Sequence, residues 1–287
     1  MKVLIVGAAG QLGRALVQSA PASIELIAWD RAQLDLSQLE TISARVHAAR
    51  PDVLSNAAAY TAVDQAESDS QRAYLINAEA VGVLGEACAA AGTRLVHVST
   101  DFVFDGAAGR PYQPNDVTAP LGVYGASKVA GEKRLATQTG LNGCVVRTAW
   151  VYSSVGKNFL LTMLRLFKER PVVRVVADQI GTPTSAKSLA SCLWSAAVSE
   201  VRGILHFTDA GAASWYDFAV AIYEEAQALG LLTQPVDIQP IRTSDYPTPA
   251  RRPSYSVLDV SATRATLGLQ AIHWRAQLRE VLRELRS

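Results

Sequence analysis

The chain opens on Lys2–Val6, an aliphatic, β-branched run that meets glycine at once, and this opening limits the fold more than any other stretch. A short apolar run ending in a glycine turn has the pattern of a buried parallel strand. Glycines at 7, 10 and 13 then give Gly-x-x-Gly-x-x-Gly, and residues 14–19 have a helical pattern. Glycine permits the tight turn and lets the backbone approach a pyrophosphate, while the helix N-terminus offers its unpaired N–H groups to the phosphate. The first spacing is one residue wider than Gly-x-Gly-x-x-Gly. Strand, glycine loop and helix in that order predict a Rossmann-type doubly wound α/β sheet, with Gly7 and Gly10 at the phosphates.

The following segments continue the α/β alternation. A strand over 24–29 ends in Asp30-Arg31. An acidic residue about 20 positions beyond the glycine loop is placed for an adenosine ribose. Asp30 suits ribose hydroxyls and so NADH, whereas Arg31 can neutralise a 2′-phosphate and so suits NADPH; both cofactors stay open. Asp35 and Leu36 either touch the adenine or belong to an ordinary helix cap. Helices over 39–49 and 74–91 flank strands over 52–55 and 94–99. The small residues from Asn56 to Thr61 either let a cofactor lie on the backbone or form a plain loop. Thr100 and Asp101 fall at a strand's carboxyl end, where open α/β sheets hold their ligands. A fifth strand, 144–148, ends at Ala149-Trp150.

Tyr124-Gly-Ala-Ser-Lys128 carries the chemistry. Residues four apart on a helix share a face. A phenol has a pKa of about 10, and a neighbouring ammonium favours its phenolate. Such a pair can pass a proton to or from a carbonyl or alcohol oxygen, and Thr100 can hydrogen-bond the same oxygen. The isolated spacing also fits a surface tyrosine over a solvated lysine; the α/β frame around it gives the catalytic reading its weight.

Composition narrows the partners. Of 287 residues, 27 are basic and 26 acidic, for a net charge of +1. That balance gives no reason to expect a nucleic-acid or acidic-membrane partner. The apolar N-terminal run is too short for a signal peptide, and no stretch approaches the ~20 apolar residues of a membrane helix. The expectation is a cytoplasmic protein. Cys88, Cys144 and Cys192 are far apart in apolar contexts, and the four histidines are scattered, so no disulfide framework or metal site is expected.

Residues 99–106, Ser-Thr-Asp-Phe-Val-Phe-Asp-Gly, together with Tyr-Gly-Ala-Ser-Lys at 124–128, resemble the extended short-chain dehydrogenase/reductase family. Within it the match is to the reductases of 4-keto-6-deoxy sugar nucleotides, through Gly-Gln-Leu-Gly (10–13), Asn-Ala-Ala-Ala-Tyr-Thr-Ala-Val-Asp-Gln-Ala-Glu (56–67), Arg-Thr-Ala-Trp-Val-Tyr (147–152), Asp-Gln-Ile-Gly-Thr-Pro-Thr (178–184) and Ala-Arg-Arg-Pro (250–253). The resemblance spans nearly the whole chain. It implies NAD(P)H-dependent reduction of the C4 ketone of dTDP-4-dehydro-L-rhamnose, with Tyr124 as proton donor, Lys128 on the nicotinamide ribose and Thr100 orienting the C4 oxygen. Asp101 and Trp150 would meet the sugar. Gly10, Gln11 and Leu12 would cradle the pyrophosphate. Asp30, Asp35 and Leu36 would meet the adenosine end, and Ala59, Tyr60 and Thr61 would line the dinucleotide cleft. Two departures stand out. Position 102 is Phe where the family usually has Tyr. Ala15 and Lys187 stand where one branch places the glutamates of a magnesium-bridged dimer, and lysine is no ligand for a hard cation. A monomer without a metal bridge is expected.

The second half reads as a smaller substrate lobe, 151–287, after a dinucleotide-binding domain over 1–150. A strand over 172–177 is expected to return to the first sheet, so that the lobes interleave. Helices are expected over 159–168, 188–198, 215–228 and 273–286, the third capped by Ser214. Arg251-Arg252 is either a solvated pair or a guanidinium fork for the substrate's diphosphate, and Arg252 is the candidate. Rival readings are an epimerase, a 4,6-dehydratase (the glutamate needed after Thr100-Asp101 is Phe102) and a non-catalytic NADP-binding regulatory subunit.

Overall fold

The computed structural model describes residues 1–286. The opening run forms β1 (Lys2–Val6) and the glycine loop leads into α1 (Gln11–Gln18). There follow β2 (Glu25–Trp29), α2 (Leu39–Ala49), β3 (Val53–Asn56), α3 (Ala80–Ala91), β4 (Arg94–Thr100), α4 (Val123–Ala136) and β5 (Gly143–Thr148). The second half supplies α5 (Phe159–Glu169), β6 (Val172–Val176), α6 (Ala186–Val198), β7 (Gly203–His206), α7 (Trp215–Ala228), β8 (Asp237–Ile241) and α8 (Trp274–Glu284). A six-stranded parallel sheet runs β7-β5-β4-β3-β1-β2. The order reverses between β1 and β3, the switch point at which open α/β sheets bind ligands.

Alternation along β1 divides the core in two. Val3 and Ile5 face one side, with Leu12, Leu16, Leu189 and Leu193. Leu4 and Val6 face the other, with Ile42, Val46 and Leu84, as a period of two requires. Leu189 and Leu193 lie on α6, so the second half of the chain covers one face of the first half's sheet. A separate core, built on Tyr152, Leu160, Phe167, Phe218 and Leu278, holds α5, α7 and α8 together.

Two expectations fail. The strand near 172–177 does not join the main sheet: β6 pairs in parallel with β8, and the sixth strand of the main sheet is β7. Its burial shows why. Val173 and Val175 are buried while Val172 and Arg174 point outward, so β6 has one apolar face and suits a half-exposed ribbon, not a doubly covered centre. The helix expected over 74–91 is also not regular. Ser70–Tyr74 passes through one wide π turn, Leu75–Glu79, before α3 begins. Such turns often mark functional sites, and this one carries Asn77.

A buried ion pair locks β4, α4 and β5. Arg147 meets Glu132 at 2.7 Å with both side chains almost wholly buried. A second guanidinium bond, Nε to Oε1 at 3.0 Å, and the Ser99 hydroxyl satisfy the carboxylate further.

Candidate active site

The glycine loop is shaped by contacts that no side chain would permit. Gly7 sits at φ +86°, and a Cβ at Gly13 would lie 2.1 Å from the Gly7 carbonyl oxygen. Gly7 and Ala8 N–H both donate to Trp29 O, which draws the loop to β2. A cradle so tight, opening on the N-terminus of α1 at the switch point, fits the pyrophosphate of a dinucleotide. Beyond it a hollow is lined by Ala8, Ala9, Arg14, Asp30 and Gln33. Asp30 is thus where an adenosine ribose would lie. Arg31 instead turns to Asp35 at 3.0 Å, and the basic group on the hollow is Arg14, which the motif reading passed over. Asp35 also accepts from Ser37 N–H and hydroxyl, bonds that hold its carboxyl below the usual carboxylate range. Leu36 is buried in the core with Leu34.

Gln11 and Leu12 begin α1. Leu12 packs inward. The Gln11 amide reaches the second lobe: Oε1 accepts from Asn158 Nδ2 at 2.8 Å and Nε2 donates to Lys157 O at 3.2 Å. Ala59, Tyr60 and Thr61 follow the carboxyl end of β3. Asn77, fully buried on the π turn, grips Tyr60 at both backbone groups, accepting from its N–H at 2.9 Å and donating to its carbonyl at 3.0 Å. Asn77 also donates to Ser127 Oγ on α4 at 3.0 Å, tying the loop after β3 to α4.

The first turn of α4 is held from two sides. Val123 N–H donates to Glu67 Oε1 at 2.8 Å. Gly125 lets the helix approach the turn after β4, since a Cβ there would stand 2.2 Å from Phe102 O. Tyr124 is thereby brought beside Thr100, and Phe102 meets its ring edge-on at 5.7 Å. Thr100 Oγ1 donates to Asp101 Oδ1 at 3.0 Å. The other Asp101 oxygen is buried without a partner. Burial pushes this carboxyl up to about 6. Lys128, also buried, donates to Val98 O at 2.7 Å.

The expected lowering of Tyr124 by Lys128 is not seen. Burial pushes Tyr124 up to about 12 and pushes Lys128 down to about 8. Desolvation disfavours the charged form of each group. The phenol therefore keeps its proton at neutral pH, the state a proton donor needs.

Trp150, just beyond β5, has its backbone in the left-handed region, at φ +48°. A bulky residue there costs about 1–3 kcal/mol and is found where function demands it. Its ring stacks on Trp215 with centroids 3.5 Å apart and planes 7° from parallel. Gly181 leaves the room, because a Cβ there would be 2.5 Å from the indole. Trp215 had no sequence signal beyond being a large aromatic at a helix start. Ser256, whose side chain lies beside the Asp101 carboxyl, likewise sits in a loop with no sequence signal. Arg252 is not free: Nη2 pairs with Asp64 Oδ2 at 2.8 Å. Ala15 and Lys187 lie on α1 and α6, and Lys187 is 4.0 Å from Glu284.

Comparison with known proteins agrees with this geometry. A family model described as RmlD substrate binding domain matches residues 1–287. A dTDP-4-dehydrorhamnose reductase of Burkholderia thailandensis is 44% identical, with 100% of both chains covered. The crystal structure of a dTDP-4-dehydrorhamnose reductase from Bacillus anthracis, in complex with NADP, superposes with a TM-score of 0.93 at 34% identity, over 99% of each chain. Its counterpart from Clostridium acetobutylicum superposes at 0.94 with 37% identity, over 100% of each. A tyrosine and threonine converging on a buried carboxylate, beside a dinucleotide cradle, and relatives matched from end to end lead to one statement: the chain belongs to the dTDP-4-dehydrorhamnose reductase family.

Proposed function

We propose that this chain reduces the C4 ketone of dTDP-4-dehydro-L-rhamnose to dTDP-L-rhamnose with NADPH or NADH. The observation that carries the reading is the convergence of Thr100, Tyr124 and Asp101 at the carboxyl end of β4, next to the glycine cradle. When bound, the dinucleotide supplies a hydride from its nicotinamide. The chain's own residues do the rest. Gly7, Gly10 and the first residues of α1 hold the pyrophosphate, and Asp30 the adenosine ribose. Thr100 orients the C4 oxygen while Tyr124 gives it a proton. Lys128 binds the nicotinamide ribose and resupplies Tyr124. Trp150, braced on Trp215, packs on the sugar, and Asp101 bonds its hydroxyls. Arg252 meets the diphosphate by leaving Asp64. The presence of Thr100, Tyr124 and Lys128 together favours an enzyme over a regulatory subunit. Phe102 in place of the dehydratase glutamate removes the base for C5–C6 water loss.

The reading extends to a monomer acting in the cytoplasm; the buried free thiols of Cys88, Cys144 and Cys192 fit a reducing compartment. Among the described residues no helix is long and apolar enough to cross a membrane.

The test follows NAD(P)H oxidation with dTDP-4-dehydro-L-rhamnose, running NADPH and NADH side by side. Oxidation with dTDP-L-rhamnose as product is expected; no oxidation from folded protein that binds NADPH would overturn the assignment. The cradle has its own prediction. Gly13→Ala drives a methyl into the Gly7 backbone, an overpacking that costs about 1–3 kcal/mol. NADPH fluorescence titration should show about 10- to 100-fold weaker binding, and unchanged affinity would remove the loop from the cofactor site.

A further inference from the structure

His97 has no part in the chemistry above, yet it touches the catalytic helix. It lies within β4 and is fully buried. Its Nε2 is 3.3 Å from Lys128 Nζ. On the opposite side its Nδ1 is 3.1 Å from Asn56 Nδ2, at the carboxyl end of β3. The orientation of the Asn56 amide follows from its other bond, because Oδ1 accepts from Ala58 N–H at 3.1 Å. Turning the amide would set two donors against each other there. Asn56 therefore donates to Nδ1, and a neutral imidazole whose Nδ1 accepts carries its proton on Nε2. Burial holds His97 well below the ordinary histidine range, so the ring is neutral.

The Nε2 proton points at Lys128. An ammonium has three N–H donors and no lone pair, so it cannot accept this hydrogen bond. A neutral amine can: its lone pair takes Nε2–H, one N–H goes to Val98 O, and one remains for a ligand. We propose that Asn56 and His97 form a donor relay that presents a proton to Lys128, so that Lys128 is poised to release its own. His97 is then a positioning residue for the reduction proposed above, on which this inference rests. Once Tyr124 has given its proton to the C4 oxygen, the ammonium form of Lys128 passes one from Nζ to the phenolate oxygen, which leaves the neutral amine whose lone pair takes His97 Nε2–H; solvent then returns the amine to the ammonium.

The other charged and titratable groups around Lys128 do not undo this. Glu132, one turn along α4, favours the charged form, but Arg147 of β5 holds its carboxylate in the buried ion pair. Asp101, from the turn after β4, acts on Tyr124. Tyr124 itself lies one turn back on α4.

The experiment is a two-bond 1H–15N correlation on the full chain, labelled with 15N-histidine and saturated with NADP+, between pH 6 and 8. His97, identified by its loss in His97→Gln, should be neutral throughout with its proton on Nε2. An Nδ1–H tautomer or an imidazolium would overturn the relay. Should His97→Gln not fold, Asn56→Asp identifies the same signals, because an acceptor at Nδ1 switches the tautomer to Nδ1–H. In kinetics, His97→Gln can turn a carbonyl oxygen to the ammonium, so the alkaline limb of kcat should move up by about one pH unit with KM for the sugar nucleotide little changed. A limb that stays in place would also overturn the relay. The tautomer is read without turnover. An Nε2–H ring in a protein that reduces no 4-keto sugar would therefore overturn the proposed function, and with it the role in reduction, while the hydrogen-bond relay from Asn56 through His97 to Lys128 would stand.

Discussion

Tyr124→Phe should lower kcat for ketone reduction by about 10²- to 10⁴-fold, the usual range for loss of a positioned proton donor, with the NADPH dissociation constant nearly unchanged. The split is expected because the substitution removes one oxygen and keeps the ring. Phe102 would still meet that ring edge-on, and Gly125 would still let α4 approach the turn after β4. Thr100 and Asp101 would remain to bind and orient the substrate, so KM should change far less than kcat. Pre-steady-state reduction at a single turnover would place the loss in the chemical step. Equal loss of turnover and cofactor affinity would mean that Tyr124 holds the site together and does not donate the proton.

Glu132→Ala should destabilise the fold by about 3–5 kcal/mol, because it leaves a buried charge without its partner. Arg147 is 3% exposed and Glu132 5%, so water cannot replace the lost carboxylate. Three donors then lose an acceptor at once: two nitrogens of the guanidinium and the Ser99 hydroxyl. The double replacement Glu132→Leu/Arg147→Met should recover most of the loss, as paired removal of a buried ion pair often does. Urea unfolding of wild type, single and double variants measures both. A Glu132→Ala cost below about 1 kcal/mol would mean that the strands and α4 are held by apolar packing alone.

The frame was legible because local patterns and tertiary burial agree in it. The aliphatic run of β1, the turn at Gly7 and the Ser214 start of α7, completed by a capping box with Asp217, each state their structure within a few residues. The meeting of Thr100 and Tyr124 was legible too, since Thr100 ends a strand and Tyr124 and Lys128 share a helix face. What escaped depends on distant partners. Nothing near residue 150 announces that Trp150 will stack on Trp215 or adopt a left-handed backbone to do so. The wide turn at Asn77 has no breaker residue, and it exists because Asn77 bonds Tyr60 and Ser127. The apolar look of 172–176 hid an alternation, because one of its two outward positions is also valine. Arg252 was read as a phosphate ligand from its neighbours in sequence, while its neighbour in space is Asp64.

The placement of α6 on the face of β1 that carries Val3 and Ile5 bears on how such a protein can be inherited. A gene fragment ending at residue 150 would encode a sheet with one oily side open to water, lacking also the strand Gly203–His206 that finishes its edge. A swap of second lobes between relatives at that point would also replace the helix that covers one face of the first lobe's sheet. Recombination therefore has no clean seam here. New preferences in such a chain have to arise by point changes within a body that is passed on whole.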